Sequence, residues 1–127
     1  MFDLDGDFAP AFSVRGDIHL RANRLDDAIH WLRQAVALKP ELCEAWQNLG
    51  VAFARSGRLD QAVEAWEQAL ARCPDNVTAL NNLGRAMEER GRSDEARACY
   101  ERVLAIRPDL EGVAESLDRL DTGAAGR

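Results

Sequence analysis

The sequence predicts an all-α fold, a right-handed α-solenoid of three helix-turn-helix hairpins with a C-terminal capping helix, and three observations lead there. The first is apolar spacing. Trp46, Leu49, Gly50 and Phe53 fall at i, i+3, i+4 and i+7, and Leu59, Ala62, Val63, Trp66, Ala69 and Leu70 repeat the pattern, so each set lines one side of a helix. The second is punctuation. Gly57, between the sets, takes positive φ at a helix C-terminus without steric cost, and Pro74 stops the second helix. The third is recurrence. A shift of 34 residues aligns Gly16 with Gly50 and Gly84, Ala28 with Ala62 and Ala96, and Pro40 with Pro74 and Pro108. Gly57 meets Gly91 ahead and Asn23 behind, and Asn is the next most tolerant residue for a left-handed turn. Phe12, Trp46 and Leu80 share one large apolar slot, and Leu32, Trp66 and Tyr100 share another.

These residues resemble the tetratricopeptide repeat (TPR), whose pattern is W-x2-L-G-x2-Y, then A-x3-F, then P, within 34 residues. Here it reads Trp46, Leu49, Gly50, Phe53, Ala62, Trp66 and Pro74, and again Leu80, Leu83, Gly84, Met87, Ala96, Tyr100 and Pro108. The resemblance covers residues 9–110. It fixes a fold and leaves the activity open, since many proteins share such a scaffold.

In chain order, residues 1–8 are expected to be a frayed lead-in. Within them FDLDG is similar to the nucleophile motif of haloacid-dehalogenase-type phosphatases. That chemistry needs a preceding apolar strand, and only Met1 and Phe2 come first, so the reading fails. A calcium loop fails too, because Phe8 and Val14 stand where Gly and Glu would be needed. Repeat one, 9–42, carries Arg15 and His19 where repeat two has Leu49 and Phe53. Polar residues there suit a terminal repeat with no outer neighbour. Its second helix recovers the stripe with Leu25, Ala28, Ile29, Leu32, Ala35 and Val36, with Trp31 off the stripe and placed to half-cover the end of the stack. Repeats two and three span 43–76 and 77–110. Leu110, Val113, Ala114, Leu117 and Leu120 then form the stripe of a capping helix over 111–121, and 122–127 reads as a flexible tail.

At 127 residues the chain holds one domain of three repeats. Sixteen basic against twenty-two acidic residues leave a net charge of -6, which argues against a nucleic-acid surface. No apolar run reaches the roughly eighteen residues a membrane span needs, and no basic start precedes an apolar core as in a signal peptide. Cys43, Cys73 and Cys99 are an odd set without C-x-x-C spacing, so a reducing, cytoplasmic setting and small apolar roles for all three are the expectation. No metal-ligand, cofactor or catalytic constellation emerges, and the chain reads as a non-catalytic module.

The resemblance implies that the first helix of each repeat lines a concave groove that receives a protein or peptide partner. The residues on that face are Asp17 and Arg21 in repeat one, Gln47, Asn48, Val51 and Arg55 in repeat two, and Thr78, Asn81, Asn82 and Arg85 in repeat three. Asn48 and Asn82 occupy equivalent positions, where amides suit the main chain of an extended peptide. Val14 breaks this ladder in repeat one. Arg21 and Arg55, with Arg85 nearby, could hold an acidic group bidentately. The carboxylate clamp of chaperone-binding TPR domains is met here by Ser13, Asp17, Asn48, Thr78 and Asn82, so a heat-shock chaperone C-terminus is not the expected ligand. Two alternatives stand beside peptide binding. One is weak self-association through Phe2, Phe8, Phe12 and Trp31; the other is service as the targeting region of a larger protein or enzyme.

Overall fold

In the computed structural model, which describes residues 4–125, seven helices follow one another: α1 (Leu4–Arg21), α2 (Leu25–Leu38), α3 (Cys43–Arg55), α4 (Leu59–Arg72), α5 (Val77–Glu89), α6 (Ser93–Ile106) and α7 (Val113–Ala125). No strand occurs among the described residues. The helices fall into two compact units, residues 1–74 with α1 to α4 and residues 75–127 with α5 to α7.

The hairpin turns show how the repeat is written into backbone chemistry. Asn23, Gly57 and Gly91 take φ of 59°, 80° and 75°. Each is followed by a residue whose N–H reaches back to a carbonyl of the last helical turn: Arg24 to His19, Arg58 to Phe53 and Arg92 to Met87, all at 2.8 Å. The three left-handed residues themselves donate to Leu20, Ala54 and Glu88. This is a Schellman termination, and it reverses the chain the same way each time.

Within a hairpin the two helices meet at a glycine. A Cβ on Gly16 would lie 2.4 Å from Leu32, one on Gly50 2.3 Å from Trp66, and one on Gly84 2.7 Å from Tyr100. Only a bare backbone allows that approach, which is why glycine and a large apolar residue recur as a pair sixteen positions apart. The Trp66 Nε1 donates to the Gln47 carbonyl at 3.2 Å, fixing α4 on α3. In the first unit α1 packs on α2, α3 on α4, and α3 also against α1 and α2. Its core is Ala28, Ile29, Leu32, Ala35, Leu49, Phe53, Ala62, Trp66 and Ala69. In the second unit α5 packs on α6 and α6 on α7 around Leu80, Met87, Ala96, Tyr100, Val103 and Val113.

Three expectations are corrected. The segment 1–8 is not a frayed lead-in throughout, because α1 begins at Leu4; residues 1–3 lie outside the described residues. Pro10 sits inside α1. The tail is helical as far as Ala125, with residues 126–127 outside the described set. Finally, Cys43 and Cys73 are joined by a disulfide with their Cα atoms 6.2 Å apart. They open and close the second hairpin, so its two ends meet by construction, and such a bond persists in oxidising surroundings. The cytoplasmic setting therefore finds no support. Only Cys99 remains a free thiol among the described residues, its pKa pushed up by burial and by neighbouring Glu95.

Candidate peptide-binding surface

The candidate residues lie on α1, α3 and α5, and the two units hold them separately. In the first unit the structure brings Pro10, Ser13, Val14 and Asp17 of α1 together with Glu44 of α3 and Leu42 just before it, around a cleft of about 200 Å³. Its walls mix apolar side chains with two carboxylates.

The arginines are engaged by the protein itself. Arg21 Nε pairs with Asp17, one turn earlier, at 3.1 Å. Arg55 Nη1 donates to the Leu20 carbonyl at 3.3 Å, a second bond to an oxygen that already accepts the Asn23 N–H, and so ties α3 to α1. Gln47 and Val51 are half-buried on α3. Asn48 differs from its neighbours. It is the one buried polar side chain among the described residues, 8% exposed, and no described residue hydrogen-bonds its amide. Arg97 Nε is the buried side-chain atom left without a partner among the described residues, so the Asn48 amide is not fully sealed and opens at the surface.

In the second unit Thr78 and Arg85 are exposed, and Asn81 and Asn82 are half-buried. Glu88, which helical spacing puts on the same face, is recruited elsewhere. Its carboxylate accepts the Tyr100 hydroxyl at 2.6 Å and the Arg119 guanidinium at 2.8 and 3.1 Å, linking α5 to α6 and α7. Burial raises the Glu88 pKa, and the hydrogen bonds from Tyr100 and Arg119 and the Arg119 charge outweigh it, leaving a net lowering. Tyr100 is pushed well above its ordinary value by burial and by that same carboxylate. Sequence spacing could not reveal this, since Arg119 is 31 residues away on a different element.

A larger cleft of about 540 Å³ is lined by α2, α3 and α4, with Trp46, Leu49 and Phe53 among its walls. Sequence periodicity marked those three as core. In the structure Trp46 is half-exposed, its Nε1 donates to the Pro40 carbonyl at 2.8 Å, and Arg72 and Arg33 lie over the Trp46 and Phe53 rings. No metal-holding cluster of His, Cys, Asp or Glu occurs among the described residues, and none of their helices is long and apolar enough to cross a membrane.

Comparison with known proteins places this geometry. The family model described as "Tetratricopeptide repeat" matches residues 41–109, and one described as "TPR repeat" matches residues 16–57. A search of curated proteins finds no match. Among solved structures, the TPR domain of Arabidopsis OM64 is similar with a TM-score of 0.88 at 20% identity, over 94% of this chain and 98% of that one. The first TPR of Spaghetti (RPAP3), bound to the HSP90 peptide SRMEEVD, gives a TM-score of 0.89 at 21% identity, over 94% and 95%. A MamA structure gives 0.75 at 28% identity, over 79% of this chain and 58% of the MamA chain. With a family model spanning more than half its length, its three Schellman-terminated first helices and its glycine-to-large-residue contacts, the chain belongs to the tetratricopeptide-repeat family.

Proposed function

We propose that this chain is a non-catalytic interaction module that takes an extended peptide of a partner protein along the first helices of its repeats. TPR domains serve protein-protein interaction in general, and a structural neighbour carries a peptide. The observation that carries the reading here is the unspent amide of Asn48. That amide, mostly buried yet open at the surface, has its donor and acceptor left for a ligand's main chain. The cleft beside α1 supports it, with Val14 and Leu42 offering apolar contact and Glu44 offering charge to a basic side chain. Arg21 and Arg55 already hold Asp17 and the Leu20 carbonyl, so recognition rests less on an anionic clamp than on backbone and apolar contact. Excluding a chaperone tail, as the clamp positions suggested, has no support from a comparison in which a similar domain holds one.

Peptides selected from a random display library on the wild-type chain, alongside SRMEEVD, provide the test by fluorescence anisotropy. Asn48→Ala is expected to weaken the selected peptides by about tenfold, the worth of a well-placed hydrogen bond, while leaving the melting temperature unchanged or higher. Equal affinity for wild type and variant would remove Asn48 from the site.

A further inference from the structure

The cleft beside α1 is too small to bury a free ligand but leaves room for one side chain. Pockets that enclose a small molecule run to roughly 300–1,000 Å³, whereas this one holds about 200 Å³. Its walls divide by chemistry. Pro10 and Val14 of α1 and Leu42, just before α3, are apolar, while Ser13, Asp17 and Glu44 are polar. No lysine, arginine or histidine stands among its described walls.

What the polar groups have left to give decides what the cleft can hold. Asp17 accepts Arg21 Nε at 3.1 Å, so one of its oxygens is taken and its charge is answered from within. Glu44, exposed in the first turn of α3, has no ion-pair or hydrogen-bond partner among the described residues, and neither has the half-buried Ser13 hydroxyl. A carboxylate only accepts, and a hydroxyl can accept beside it. An acidic side chain entering here would meet like charge with no donor nitrogen to answer it. A lysine or arginine would lay its aliphatic stem on the apolar wall and bring its donors to Glu44.

The position of the cleft relates it to the main-chain contact. Glu44 and Asn48 are four residues apart on α3, one turn or about 6 Å along its axis. Side chains on one side of an extended peptide are two residues, or about 6.6 Å, apart. A main chain running along α3 and bonded at Asn48 therefore presents a side chain to the cleft about two residues on. We propose that the cleft is a specificity pocket for one lysine or arginine of the bound peptide, its stem against Pro10, Val14 and Leu42 and its cationic head on Glu44 and Ser13. This rests on the peptide reading above and adds which sequences the groove selects: bonding at Asn48 is indifferent to side chains, and Glu44 reads one of them.

Sequencing the library-selected peptides and measuring their affinities for the full chain tests this. The pool is expected to carry a basic residue at one fixed position, and its replacement by glutamate to weaken binding about tenfold or more. Glu44→Gln should weaken the basic peptide about two- to fivefold, the range of a partly exposed ion pair. Glu44→Lys should reverse the preference, so that the glutamate-bearing peptide binds the better of the two. Glu44 is exposed, and both variants should keep their helical content. Glu67→Lys, at an exposed carboxylate on α4, changes the net charge as much as Glu44→Lys and should leave the preference as in wild type, which separates a pocket from the general attraction of an acidic chain for basic peptides. Peptides that weaken on Asn48→Ala but share no basic position, or a preference that Glu67→Lys shifts as far as Glu44→Lys does, would overturn the pocket and leave the peptide reading standing. A chain that selects no peptide at all would overturn both.

Discussion

Gly50→Ala sets two opposed effects against each other. In an exposed helix the substitution would favour folding by roughly 1 kcal/mol. Here the new Cβ would lie 2.3 Å from Trp66 Nε1 and 2.5 Å from its Cδ1, about 1 Å inside ordinary contact. Trp66 is 4% exposed and its Nε1 is bonded to the Gln47 carbonyl, so the indole cannot swing aside without breaking that bond and opening the core. Overpacking of this kind costs about 1–3 kcal/mol and the lost hydrogen bond about 1 kcal/mol, so after the helix-propensity gain the variant should be less stable by about 1–3 kcal/mol. For a unit of this size that is a fall of roughly 5–20 °C in melting temperature. Urea titration followed by tryptophan fluorescence and circular dichroism reads it. Gly57→Asn is the control: φ is +80° there and nothing lies within 4 Å, while Asn23 already holds the equivalent turn at 59°. It should cost less than about 1 kcal/mol. A Gly50→Ala chain as stable as wild type would refute the close helix approach on which the hairpin account depends.

Two further outcomes follow from particular contacts. Reducing the Cys43–Cys73 bond, which closes a span of 30 residues, should destabilise the first unit by about 3.5 kcal/mol from chain entropy, and denaturation with and without reductant checks this. Glu88 has a folded pKa below its ordinary 4.5, so it stabilises the second unit above that pH and the contribution fades as pH falls through the lowered value. Thermal melts from about pH 7 to about pH 3 should show Glu88→Gln less stable than wild type near neutrality, with the gap closing in acid.

The fold was legible because its determinants are local and repeated. Asn23 could be aligned with Gly57 from the shift alone, since the requirement at that position is a backbone angle that few residues tolerate. Gly50 and Trp66 could be paired for the same reason: volume missing on one helix is filled from the next. Features set by distant partners were not legible. Nothing in the spacing of Cys43 and Cys73 marks a bond across 30 residues, and an odd cysteine count pointed the other way. Glu88 was placed on the candidate groove by helical phase, but phase says nothing of Tyr100 and Arg119, which claim it. Likewise the phase of Arg21 and Arg55 suggested an open cationic row, whereas a carboxylate one turn away and a carbonyl at the end of another helix engage both. Val14 was visible as the break in the asparagine ladder. That it stands 58% exposed on α1, with Ile18 one turn on at 59%, could not be read from the spacing.

The central claim is that a partner peptide lies along the first helices. Amide chemical-shift mapping of the labelled chain, titrated with a library-selected peptide, tests this most directly. The account predicts that the largest perturbations within the first unit fall on α1 and α3, around Asp17, Gln47, Asn48 and Val51. Perturbations confined to α2 and α4, around Arg33, Gln61 and Gln68 at the larger cleft, would contradict it.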